Sequence, residues 1–160
     1  DLFSRIRLDL VVNTLTVRAS HHGRITIFGG DQFRPLLHVR DAAKVAVDNI
    51  ETTHTGIFNL HHENVRILDL AYQVQSHFPD LIIETTQMKF QDTRNYRVRS
   101  DKAISTFGFK TNYSIDDGIE QVKNLMTSCR IKNVDNPQYT NEKYLSMFNT
   151  HEQFDGGNAQ

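Results

Sequence analysis

The hydrophobic pattern changes period at Gly23, and that change sets the fold class. Before it, Leu8, Val11, Val12, Leu15 and Ala19 recur at helical spacing across residues 8–22, with Asp9 placed to start a helix. After it, residues 24–28 (Arg-Ile-Thr-Ile-Phe) alternate polar and apolar, as a half-buried strand does. The same exchange continues downstream. Residues 35–39 read as a short strand, and Asp41 as the N-cap of the helix Ala-Ala-Lys-Val-Ala-Val-Asp-Asn-Ile at 42–50. Gly-Ile-Phe-Asn-Leu (56–60) reads as a buried strand. Residues 65–78 read as a helix with Ile67, Ala71, Val74 and Phe78 on one stripe, stopped by Pro79-Asp80. Residues 81–86 read as a strand.

Ser100 is expected to cap a short helix closed by Phe107-Gly108. Ser114 and Asp117 form a capping-box pattern ahead of a helix that turns Ile119, Val122 and Leu125 inward. The expected fold is therefore α/β, a small sheet with flanking helices, in one domain over residues 1–130. Residues 131–160 read as a polar tail, partly helical, with Tyr139, Tyr144, Leu145, Met147 and Phe148 on one amphipathic helix.

Composition narrows the function classes. The chain has 160 residues and a formal charge of −1, so no global positive field argues for nucleic acid or an anionic membrane. No apolar run approaches the roughly 20 residues of a membrane helix. One cysteine, Cys129, rules out an internal disulfide and a multi-cysteine zinc site, and it fits a cytoplasmic setting. The histidine pairs His21-His22 and His61-His62 lack the i, i+4 pairing with a Glu found on zinc-hydrolase helices. A start at Asp-Leu-Phe-Ser, without Met, suggests a fragment.

Two stretches could carry chemistry. In residues 27–41 a strand enters a Gly-Gly turn, followed by Arg34 and Pro35. Glycines there let the backbone approach a ligand, and a guanidinium fork matches two phosphate oxygens. A surface arginine in a solvated loop is the plain alternative. In residues 89–99, Lys89, Arg94, Arg97 and Arg99 crowd together, and on an extended segment Arg97 and Arg99 share a face. They suit a second contact to the same diphosphate, or equally a solvated basic edge. Tyr139 and Lys143 have the spacing of a catalytic Tyr/Lys pair, but they lie in the polar tail with no cofactor fold ahead of them, so they are not assigned to catalysis.

Five motifs occur in one order. They are Arg7 to Asn13, Phe28 to Asp41, Ile57 to Leu60, Asp92 to Ala103, and Phe107 to Lys110 ahead of the Ser114 helix. In that order they resemble the C-terminal, substrate-binding portion of NAD-dependent epimerases/dehydratases, the extended short-chain dehydrogenases of nucleotide-sugar metabolism. The resemblance covers about residues 4–130, and its most specific element is the Arg34-Pro35 to Asp41 run.

That resemblance implies roles. Arg34 would hold the nucleotide-sugar diphosphate, with Arg94 as second phosphate contact and Lys89 as its rival. Phe28 would lie against the base. Ser4, Arg5, Arg7 and Asn13 would sit near the sugar, while His38 would pack and Asp41 cap. NAD or NADP would bind the missing N-terminal Rossmann half, and none would bind this chain alone. The Gly-rich dinucleotide turn and a usable Tyr/Lys pair are absent, so no catalytic residue is assigned and the chain is expected to be inactive by itself. Expected partners are the nucleotide sugar, the missing half and a second copy in a homodimer. A non-catalytic interaction module built on the same fold is the alternative.

Overall fold

In the computed structural model the described residues are 5–86 and 94–149. The chain runs α1 (Val11–His22), β1 (Arg24–Phe28), β2 (Phe33–Leu36), α2 (Val39–Asp48), β3 (Glu63–Arg66), α3 (Ile67–His77) and β4 (Ile82–Thr86). Then follow α4 (Asp101–Phe107), α5 (Ile115–Thr127), a 3₁₀ turn (Pro137–Tyr139) and α6 (Asn141–Asn149). None of these helices is long and apolar enough to cross a membrane.

Among the described residues two strand pairs form. β1 and β4 run parallel, from Arg24 opposite Ile82 to Phe28 opposite Thr86. The ladder extends past both ends, because the Ile82 N–H donates to the Gly23 carbonyl and the Gly29 N–H to the Thr86 carbonyl, each at 3.0 Å. β2 and β3 run antiparallel, with Arg34 opposite Val65. The helices α1, α3 and α5 pack on one another, and α1 and α3 also pack on β1. Leu15 and Ala19 of α1, Ile25 and Ile27 of β1, Leu70, Ala71 and Val74 of α3, and Ile119 of α5 make the main core. The fully buried positions repeat at helical spacing on the helices and at every second residue on β1, so the sequence periods map onto one apolar interior.

Two glycines set the geometry around β1. Gly23 stands at φ 62° and donates its N–H to the Ala19 carbonyl, a left-handed helix end that turns the chain back along α1. Gly30 stands at φ 103°, where an added Cβ would come within 3.2 Å of both the Ile27 Cγ2 and the Leu68 Cβ. Only glycine lets the turn after β1 lie this close to the start of α3.

The structure departs from the sequence reading at several points. Residues 56–60 join no strand pair; the antiparallel partner of β2 is Glu63–Arg66, which takes in Val65 and Arg66, the first two residues of the stretch read as a helix. The cap of α2 is His38, whose Nδ1 accepts from the Arg40 N–H at 3.2 Å, and not Asp41. His38 also stacks on Tyr113, with ring centroids 4.5 Å apart, and its Nε2 meets the Gln121 Oε1 at 3.2 Å. Helix α1 begins at Val11, and Asp9 instead accepts from Arg7 and from the Asn141 N–H. The Ser114–Asp117 capping box forms in full at the start of α5.

Residues beyond 130 return to the domain. Ile131 is buried with Leu8, Val17 and Val122, and Val134 and Tyr139 pack against them. The Leu8 N–H donates to the Tyr139 carbonyl at 2.8 Å, and the Arg5 guanidinium donates to the Gln138 carbonyl at 2.8 Å and lies over the Tyr144 ring.

His77 ties α3 to α5. Its Nδ1 meets Glu120 at 2.8 Å and its Nε2 meets Asp116 at 2.7 Å. Burial works against the charged ring, but the bonds to the two carboxylates outweigh it, and the His77 pKa stands above its ordinary value. A raised folded-state pKa gives stability that is whole below about pH 6.5 and fades as pH rises through the folded value. Urea unfolding across pH 5.5–8.5 is expected to show the wild-type midpoint falling relative to His77→Gln as the pH climbs. Parallel curves for the two proteins would contradict this.

Candidate functional site

The Gly-Gly turn after β1 leads into β2, not into a helix. Gln32 holds the turn shut: its side-chain oxygen accepts from the Gly30 N–H at 2.9 Å, and its amide nitrogen donates to the Phe28 carbonyl at 3.1 Å. Phe28 and Arg34 therefore flank one clamped turn, Phe28 half-buried as the last residue of β1 and Arg34 half-buried on β2.

Arg34 reaches across to residues 94–98. Its Nη1 donates to the Arg94 carbonyl and, at 2.9 Å, to the Phe33 carbonyl, and its guanidinium lies 5.6 Å from the Tyr96 ring centre. The rest of the 94–98 segment is pinned alongside. The Asn95 side-chain oxygen accepts from the Phe33 N–H at 3.0 Å, and Arg97 stacks 3.6 Å over the Phe33 ring. Asn64 of β3 acts as a substitute strand: its amide donates to the Val98 carbonyl at 2.9 Å and accepts from the Val98 N–H at 2.8 Å. The guanidinium groups of Arg34 and Arg97, the Arg94 backbone and the rings of Phe33 and Tyr96 thus collect beside β2. Arg99 leaves this group and pairs with Asp101 at 2.7 Å.

The other candidates fall elsewhere. Arg7 forms a two-pronged pair with Asp9, at 2.9 and 3.0 Å, and this contact holds its pKa above the usual guanidinium value. Asn13 donates to the Arg7 carbonyl at 2.7 Å. The two residues brace each other at the N-terminal end of α1. Lys89 and Ser4 lie outside the described residues. Tyr139 closes the 3₁₀ turn and Lys143 is exposed on α6.

Sequence reasoning missed Asn64, Asn95 and Tyr96. A single asparagine that completes a backbone ladder gives no periodic signal, and only the fold brings it opposite Val98. Two surface hollows lie apart from the arginine edge. One of about 450 Å³ is lined by α2 and residues 107–112, and one of about 590 Å³ runs from Arg40 to Arg130 along the end of α5.

No protein-family model matches the chain. Solved structures share its architecture. The NAD-dependent NDP-hexosamine 5,6-dehydratase TunA, of tunicamycin biosynthesis, matches with TM-score 0.67 and 17% identity over 76% of this chain and 41% of its own. A UDP-glucose 4-epimerase from Thermotoga maritima, with UDP-glucose, matches with TM-score 0.67 and 19% identity over 81% and 42%. The fold is shared with one part of each of these structures. An L-threonine dehydrogenase from Phytophthora infestans shares it too, with TM-score 0.63 and 13% identity over 73% of this chain and 41% of that one. The chain thus spans about two-fifths of the length of the structures it matches, and the shared fold serves more than one substrate class.

Proposed function

We propose that this chain is the C-terminal, nucleotide-sugar-binding portion of an NAD-dependent epimerase or dehydratase, in which Arg34 and Arg94 grip the substrate diphosphate. The observation that carries the reading is the Arg34 side chain anchoring the Arg94 backbone. Residues far apart in sequence are thereby held as one cationic edge beside the turn that follows Phe28. A guanidinium supplies a planar fork of N–H donors that matches phosphate oxygens, and the Phe28 ring offers a face for a base. Lys89 remains the rival for the second phosphate contact, and Arg7 and Asn13 shape the loop on the sugar side. When bound in the intact enzyme, NAD or NADP would supply the hydride chemistry at a sugar carbon. This chain's share is to bind and orient the diphosphate.

The exposed Leu145, Met147 and Phe148 on α6 favour a second reading, a non-catalytic interaction module. Calorimetric titration with UDP, dTDP, GDP and CDP, in parallel with NAD, separates the two. Binding of one nucleoside diphosphate in the absence of NAD is the expected result. No binding to any of them by folded protein would favour the interaction module.

A further inference from the structure

The segment that carries Arg94 has no ladder of its own. Residues 94–100 form neither helix nor strand, and among the described residues 95–98 take part in no backbone–backbone hydrogen bond. Side chains replace the ladder. The Arg34 guanidinium donates to the Arg94 carbonyl, and the Asn95 side-chain oxygen accepts from the Phe33 N–H. Both of these contacts are exposed, so water competes for them.

The contact made by Asn64 is of another kind. Asn64 stands on β3 opposite Pro35 of β2. Its side-chain amide has the donor and acceptor groups of a peptide unit. It donates to the Val98 carbonyl at 2.9 Å and accepts from the Val98 N–H at 2.8 Å, the pair of bonds that two facing residues of an antiparallel ladder exchange. Val98 is half-buried, while residues 94–97 are exposed. Without the amide, the Val98 N–H and carbonyl lose their partners, and the chain there must move toward water to satisfy them. Arg94 lies four residues away, at most roughly 14 Å of extended chain, so a shift at Val98 is carried to it. The β2–β3 pair itself is made by main-chain groups and does not need this side chain.

We infer that Asn64 is a positioning residue for the diphosphate grip: it sets where residues 94–98 stand, and so where Arg94 meets the ligand. The inference rests on the proposed function for the identity of that ligand. It gives Asn64 a part in binding through Arg94 and not by contact.

Calorimetric titration with UDP, dTDP, GDP and CDP tests this in wild type, Asn64→Ala, Arg94→Ala and the double variant. Asn64→Ala is expected to weaken binding of the nucleoside diphosphate that wild type takes by about 5- to 10-fold, with a urea midpoint near that of wild type. In the Arg94→Ala background the same change is expected to cost less than about 2-fold, because a residue that acts through Arg94 then has nothing to act on. The Val98 amide is expected to exchange at least about 10-fold faster in Asn64→Ala, while the β1 amides keep their wild-type rates. Equal affinity in wild type and Asn64→Ala would overturn the inference and leave the diphosphate reading intact. So would losses that add in the double variant, an unchanged Val98 rate, or a collapsed urea midpoint, which would make Asn64 a residue of the fold alone. Wild type that binds none of the four would overturn the diphosphate reading, and this inference with it.

Discussion

Arg34→Ala is expected to weaken nucleoside diphosphate binding by roughly 10- to 150-fold, the equivalent of about 1.5–3 kcal/mol for a charge-assisted hydrogen bond. The residue acts in two ways. On the proposed reading its guanidinium meets the diphosphate while its Nη1 holds the Arg94 carbonyl, so one substitution is expected to remove a phosphate contact and loosen the second. Arg34→Lys separates the effects, because it keeps the charge and gives up the planar fork. Lysine is expected to recover only part of the loss. In the intact enzyme the same change should appear mainly in KM, as lost uniform binding does. Affinity unchanged in Arg34→Ala would make Arg34 a strut for residues 94–98 and nothing more.

Asp41→Ala is expected to destabilise the fold by about 3 kcal/mol or more, since two or more charge-assisted hydrogen bonds are lost at once. Asp41 is 2% exposed. Its carboxylate accepts from the Asn112 N–H at 3.1 Å, the Asn112 side-chain amide at 3.0 Å and the Tyr113 N–H at 3.2 Å. These bonds tie α2 to the loop ahead of α5, where few other contacts hold it. Burial opposes the charge, but the donors of Asn112 and Tyr113 outweigh it, so the Asp41 pKa sits below its ordinary value. A lowered folded-state pKa gives stability that is whole above about pH 4 and fades as pH falls through the folded value. Chemical denaturation at pH 7 reads the loss, and Asp41→Asn, which brings an NH₂ group against N–H donors, should recover little of it. A midpoint within error of wild type would show that α2 is held by other means.

The sequence made the periodic elements legible. The stripe Leu15–Ala19, the alternation Ile25–Ile27, the capping box at Ser114 and the glycine stops at Gly23 and Gly108 all encode local structure through spacing or backbone permission. Asp41 shows where such reading fails. An aspartate just before an apolar helix has the composition of an N-cap, and His38 took that place because the chain enters the helix three residues earlier. The carboxylate was then free to turn to Asn112, seventy-one positions away. Residues 56–60 show the complementary failure. Their composition fits a strand, but a strand exists only when a neighbour supplies its ladder, and the described residues supply none.

By itself, then, the sequence determined the cores of α1, α3, α5 and β1 and that Arg34 and Arg94 are candidate phosphate ligands, because these depend on short-range periodicity and residue chemistry. Tertiary structure alone decided that β2 pairs with 63–66, that Asn64 completes the 94–98 segment, and that Arg34 holds the Arg94 backbone in place. Those contacts join residues tens of positions apart, and only the packing of α1, α3 and α5 around one core fixes where such residues meet.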